Sequence, residues 1–223
     1  DGGLDVIDVV MIIDEILGVS LSRVEGLEDI TLKYGNGIFS LEFEYVIAGM
    51  QCDVAGEFKI ISINLNDGWK LSENGKTLLF YAADGSDIST NRPFEYEGKL
   101  QVNSCIATDW FFEPSMVNVI ELPTTYYLGS AYPNPFNPVT RLDISLPVDS
   151  HVSIKIYNLQ GRLVTTLSDE IKSAGYHSIL WNASRYTSGV YFVSLYAQNA
   201  DISTVGMGIG ENYLKTQKIM LVK

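Results

Sequence analysis

The stretch 130-SAYPNPFNPVTRLDISLP-147 changes character half-way along. Pro133, Pro135 and Pro138 crowd its first part together with Asn134 and Asn137; from Val139 onward apolar and polar residues alternate. Proline fixes φ and biases the residue before it toward extended backbone. The segment 124–138 therefore reads as a stiff, Pro-rich linker that divides the chain into two folded regions. At 223 residues the chain is long enough for two domains, and an apolar share of 46% excludes a disordered chain.

Both sides of the linker carry the period-two pattern of half-buried strands. In 38-IFSLEFEYVIA-48, Phe39, Leu41, Phe43 and Tyr45 fall on one face and Ser40, Glu42 and Glu44 on the other. Similar runs are 57-EFKIISINL-65, 77-TLLFYAA-83, 98-GKLQVNS-104 and 116-MVNVIEL-122, with turn signals such as Asn66-Asp67-Gly68 and Asn74-Gly75 between them. Beyond the linker follow 139-VTRLDISLP-147, 151-HVSIKIYNLQG-161, 162-RLVTTL-167, 176-YHSILWNA-183, 189-GVYFVSLYA-197 and 213-YLKTQKIMLVK-223. The expected fold is all-β: two antiparallel β-sandwich domains, 24–123 and 139–223. Trp181 is expected to fill the core of the second. The segment 198–212 reads as a glycine-containing insertion before the last strand.

The N-terminal segment 1–23 differs. Val6, Val9, Val10, Ile13, Ile16 and Leu17 recur at helical spacing and predict one N-terminal α-helix with a wide apolar face. Asp5 with Asp8 three residues later has the spacing of a capping box, and Gly18 suits the helix end. Val and Ile are mediocre helix formers, so this helix needs a partner surface, in its own domain or in another copy.

Charge is unevenly spread. Of the net −12, residues 1–123 hold −14 and residues 124–223 hold +2. An acidic body is repelled by phosphate backbones, which excludes nucleic acid as an expected partner. Asp8, Asp14 and Glu15 interrupt the most apolar run, so no membrane span is expected. The opening Asp-Gly-Gly carries no basic region or start methionine and reads as a mature or excised product.

Catalytic chemistry has few candidates. His151 and His177 lie in strand-like runs without a recognisable Ser or Cys partner. Glu42 with Glu44 and Glu95 with Glu97 are spaced by two, which suits a solvated acidic sheet face better than a glycosidase pair. No nucleophile elbow, zincin, P-loop or dinucleotide motif appears, so no enzyme is expected. Trp110, Phe111 and Phe112, with Trp69 and Tyr81, form either a sugar-stacking platform or core packing. Cys52 and Cys105 lack metal-site spacing; from the residues alone they are two buried thiols or a disulfide.

The ordered series YPNPFNP, SLP, IYNLQGRLV, SAGYHSILWNA, SGVYFVSL and KTQKIMLVK, from Ala131 to Lys223, resembles the C-terminal sorting domain of type IX secretion cargo. That resemblance implies an immunoglobulin-like sandwich, handling by the secretion machinery, and an extracellular or cell-surface location. The insertion at 198–212 departs from it. The runs 44-EYVIAGMQCDVAG-56, 78-LLFYAADGSDI-88 and 94-FEYEGKLQV-102 make residues 24–123 similar to a cohesin-type jelly-roll sandwich, which binds dockerins through a sheet face without catalysis. The start, 1-DGGLDVID-8, resembles the end of a dockerin repeat, a calcium loop followed by a helix. Asp1, Asp5 and Asp8 would then be calcium ligands, but half a loop cannot supply the roughly six to eight oxygens calcium takes. A helix kept for packing, with no cofactor, is the expectation.

Together the resemblances imply a secreted or cell-surface, non-catalytic structural or adhesion protein that assembles with itself or with another surface protein. Disulfides persist outside the cytoplasm, so export also implies a Cys52–Cys105 bond. The helix face Val6, Val9, Val10, Ile13 and Leu17 would dock on the sandwich of the next copy, and the charge imbalance favours a head-to-tail homopolymer, an extracellular filament. The alternative is a carbohydrate-binding or cellulosome-like accessory module exported by type IX secretion, using the platform at 110–112.

Overall fold

The computed structural model describes residues 5–17, 30–43, 47–110, 114–200 and 212–223. Contacts divide the chain into two compact units, Asp1–Glu121 and Leu122–Lys223.

The first unit begins with α1 (Val6–Leu17) and continues through β1 (Thr31–Gly35), β2 (Ile38–Glu42), β3 (Gly49–Ala55), β4 (Phe58–Ile63), β5 (Trp69–Glu73), β6 (Thr77–Ala82), β7 (Phe94–Gly98), β8 (Gln101–Thr108), β9 (Pro114–Met116) and β10 (Asn118–Glu121). One sheet has the order β10-β1-β2-β7-β4 and the other β5-β6-β3-β8-β9. Alternation along the strands fills the core between them. Phe39 and Leu41 point inward from β2, Met50, Cys52 and Val54 from β3, and Leu78 and Phe80 from β6. Phe39 stacks on Phe94 at 4.3 Å between ring centroids and meets Phe80 edge-on at 6.1 Å. One pair departs from the expected antiparallel pattern: β10 runs parallel to β1, with Leu32 opposite Val119.

The second unit holds β11 (Tyr127–Leu128), β12 (Val139–Leu146), β13 (Ser150–Asn158), β14 (Leu163–Lys172), β15 (Gly175–Asn182), β16 (Gly189–Asn199) and β17 (Tyr213–Leu221). A three-stranded sheet, β11-β12-β15, accompanies a four-stranded one, β14-β13-β16-β17. Leu142 and Ile144, Val152 and Ile154, and Val193 and Leu195 are buried in a single cluster centred on Trp181. Gly161 closes the β13–β14 hairpin at φ 73°, a conformation that suits glycine.

The linker expected at 124–138 is instead part of this sandwich. Phe136 is buried beside Trp181 at a ring separation of 5.3 Å. Its N–H donates to Met220 and its carbonyl accepts from Val222, both at 2.9 Å. Asn134 Oδ1 accepts the Met220 N–H, Tyr132 exchanges backbone bonds with Arg141, and Tyr126 stacks on Tyr213 at 5.8 Å. The physical reason is local. Proline removes its own donor, but the residues between the prolines keep theirs and carry side chains that the core accepts.

Candidate interaction faces

Cys52 on β3 lies directly opposite Cys105 on β8 and the two are bonded, with 4.1 Å between their Cα atoms. Both are buried in the first core, so the bond ties the middle of one sheet together.

The helix α1 is held by its own sandwich. Asp5 Oδ1 accepts from the N–H groups of Ile7 and Asp8, while Asp8 Oδ2 accepts from the Asp5 N–H, a reciprocal cap. The Val6 N–H donates to Gln51 Oε1 at 3.1 Å. Val6 and Val10 are fully buried against the outer side of β3 at Gly49. A Cβ at Gly49 would stand 2.7 Å from Val6 Cγ2 and 3.1 Å from Val10 Cγ2. Only a residue without a side chain lets the helix approach so closely. Docking of this face on a neighbouring copy is thereby corrected: Val6 and Val10 are covered within the unit, Val9 and Ile13 are half-buried, and Ile16 points to solvent. The Leu17 side chain lies outside the described residues. The signal for this docking was Gly49 itself, a glycine at the start of a strand.

The calcium and sugar candidates are not brought together. The carboxylates of Asp5 and Asp8 are occupied as caps, and Asp1 lies outside the described residues. Among the described residues no group of three or more potential ligand side chains could hold a metal. Trp110 is buried, 5% exposed, and packs in the first core with Trp69, so it presents no ring to a sugar; Phe111 and Phe112 lie outside the described residues. So do positions 201–211 of the expected insertion. His151 sits 3.3 Å from Asp169 across the β13–β14 pair, and His177 Nε2 lies 2.7 Å from the Ser173 carbonyl. Glu42 pairs with Lys33 at 2.6 Å on the sheet surface.

An apolar surface remains around the helix. Gln51, which anchors α1, is paired with Ile106, and Ile106 with Met116; strand alternation sets all of these on the outer side of the sheet. Ile106 and Met116 are exposed, as are Met11, Ile12 and Ile16 of α1. Sequence reasoning missed this surface because β9 is too short to show a period.

Residues 130–205 match the secretion system C-terminal sorting domain. A sorting domain of this type marks proteins exported to the cell surface or extracellular space, and that is this chain's location. Among the described residues no helix is long and apolar enough to cross a membrane. No curated protein matches the chain. Among solved structures, dimeric latent PorU from Porphyromonas gingivalis is 14% identical over 88% of this chain and 20% of its own, with a TM-score of 0.35. PorZ, an essential surface component of the type IX secretion system of the same organism, is 17% identical over 74% of this chain and 17% of its own, with a TM-score of 0.26. CopC from Methylosinus trichosporium OB3b is 15% identical over 44% of this chain and 93% of its own, with a TM-score of 0.30. The chain thus spans a fifth or less of PorU and PorZ.

Proposed function

We propose that this exported chain is a non-catalytic binding and assembly protein, in which the second sandwich serves export and the first meets the partner. The observation that carries this reading is the apolar surface formed by α1 and the outer side of β8 and β9. A helix that buries Val6 and Val10 yet exposes Met11, Ile12 and Ile16 is apolar on more than one side, and Met116, two strands along the same sheet from Gln51, is 74% exposed. Large apolar side chains left exposed on this helix and on β8 and β9, in a protein bound for water, mark a place of contact. The cohesin-type reading of the first sandwich is supported by its two β-sheets packed over one core. The partner is a second copy or another surface protein. The imbalance of −14 against +2 between the two parts of the sequence favours stacking of copies head to tail.

Sedimentation velocity and negative-stain microscopy of the intact chain, with Met116→Asp and Ile16→Asp variants, test the proposal. Oligomers or filaments that the two variants dissolve are expected. A monomer at high concentration that also fails to bind any surface protein, or assemblies indifferent to both substitutions, would overturn it.

A further inference from the structure

The outer face of the three-stranded sheet in the second unit carries two exposed tyrosines that the core does not use. Register places Tyr127 on β11, Ser145 on β12 and Tyr176 on β15 in one line across the strands. Both tyrosines are largely exposed, at 54% and 67%. Two interstrand spacings separate their backbones by roughly 10 Å. Beside this row runs a second one. Asp143 lies opposite Ser178, whose hydroxyl donates to Asp143 Oδ1 at 2.5 Å, and Arg141 Nε lies 3.1 Å from the same carboxylate. The two rows line an open groove of about 430 Å³.

We propose that this groove binds an extended, uncharged β-linked polysaccharide lying across the strands. The chemistry of the face selects that ligand. A sugar ring offers an apolar face of C–H groups and an equatorial rim of hydroxyls, and an exposed tyrosine offers a flat apolar surface with a polar tip. Two such rings in line, one beyond the other, match a chain that presents the same ring face at every second sugar. The neighbouring Arg141–Asp143–Ser178 set supplies donors and acceptors to the hydroxyl rim. Arg141 keeps N–H groups beyond the one directed at Asp143, and the carboxylate keeps lone pairs. Their mutual contacts hold them in place before a ligand arrives, which lowers the entropy lost on binding. Arg141 and Asp143, the oppositely charged pair that lines the groove beside His177, offset each other and give little net pull on an ionic partner. A neutral polyhydroxylated chain suits it better than a charged protein surface.

The test is calorimetric titration of the intact chain with cellohexaose, xylohexaose and chitohexaose. Binding to at least one of them is expected, and the corresponding disaccharide should bind more weakly because it cannot span both rings. Tyr127→Ala and Tyr176→Ala should each weaken binding about tenfold. Tyr176→Phe should keep most of the affinity, since the stacking surface stays. Ile171→Ala, an exposed change on the opposite sheet, should have no effect. The unfolding transition of each variant shows that the sandwich is intact. Absence of binding to all three hexasaccharides, or binding that the double tyrosine variant leaves unchanged, would overturn the proposal. Loss of export in the double variant without any sugar binding would also overturn it, and would assign the face to the secretion machinery.

Discussion

Placing a side chain at Gly49 should lift α1 off its sheet. In Gly49→Leu the new Cβ would stand 2.7 Å from Val6 Cγ2 and 3.1 Å from Val10 Cγ2, with the Phe80 carbonyl oxygen 3.4 Å behind it. The sheet cannot retreat, because Met50 and Phe80 beside it are fully buried on the other side. The helix must therefore move. Overpacking alone costs about 1 to 3 kcal/mol. If the helix leaves, burial of Val6 and Val10 is lost as well, a further roughly 3 to 5 kcal/mol at typical side-chain values. A 12-residue helix detached from its support is marginal in water, so departure also means melting. Hydrogen exchange followed by mass spectrometry reads this directly: amides of residues 9–17 should exchange at the rate of an open chain in the variant and be protected in the parent. Val10→Asp should give the same result without crowding the sheet. Unchanged protection of those amides in both variants would refute the docking on β3.

Replacing both cysteines, Cys52→Ala with Cys105→Ala, releases a link across 53 residues and should destabilise the first sandwich by about 4 kcal/mol in the chain-entropy model, leaving the transition of the cysteine-free second unit in place; chemical unfolding with and without reductant checks it. Phe136→Ala should cost the second sandwich about 3 to 5 kcal/mol, and proteases should spare residues 126–138 in the parent but cut there in the variant; early cleavage in the parent would restore the linker. Tyr96 is buried between the sheets, and burial, with Tyr34 and Glu121 nearby, pushes its hydroxyl up to about 12. Its folded value exceeds its unfolded one, so the first sandwich keeps this stability below about pH 10 and loses about 2 to 3 kcal/mol as pH rises toward 12; Tyr96→Phe should flatten that part of the stability profile.

Alternation carried most of the fold. Phe39 and Leu41, Ile154 and Ile156, and Tyr191 and Val193 all point inward as period two requires, and Trp181 sits at the centre of its core. Where local signals failed, the deciding partner lay far away in sequence. The prolines around Phe136 have the composition of a spacer, yet Met220 and Val222 satisfy its backbone from the other end of the unit. Trp110 could be a platform or a core residue, and only the packing of the first sandwich decides that it is core. The pairing of Cys52 with Cys105 depends on the register of β3 against β8, which shifts between Asp53 and Val54 and cannot be counted from the residues. The row from Tyr127 to Tyr176 joins strands 49 positions apart through β12, so no motif announces it.

Export of the first sandwich should depend on the second. Cell fractionation with protease shaving, in a bacterium that has type IX secretion, tests it on the intact chain and on a form ending at Glu121. The intact chain should appear at the surface or in the medium and the shortened form should stay inside the outer membrane. Equal surface exposure of the two forms would contradict the claim.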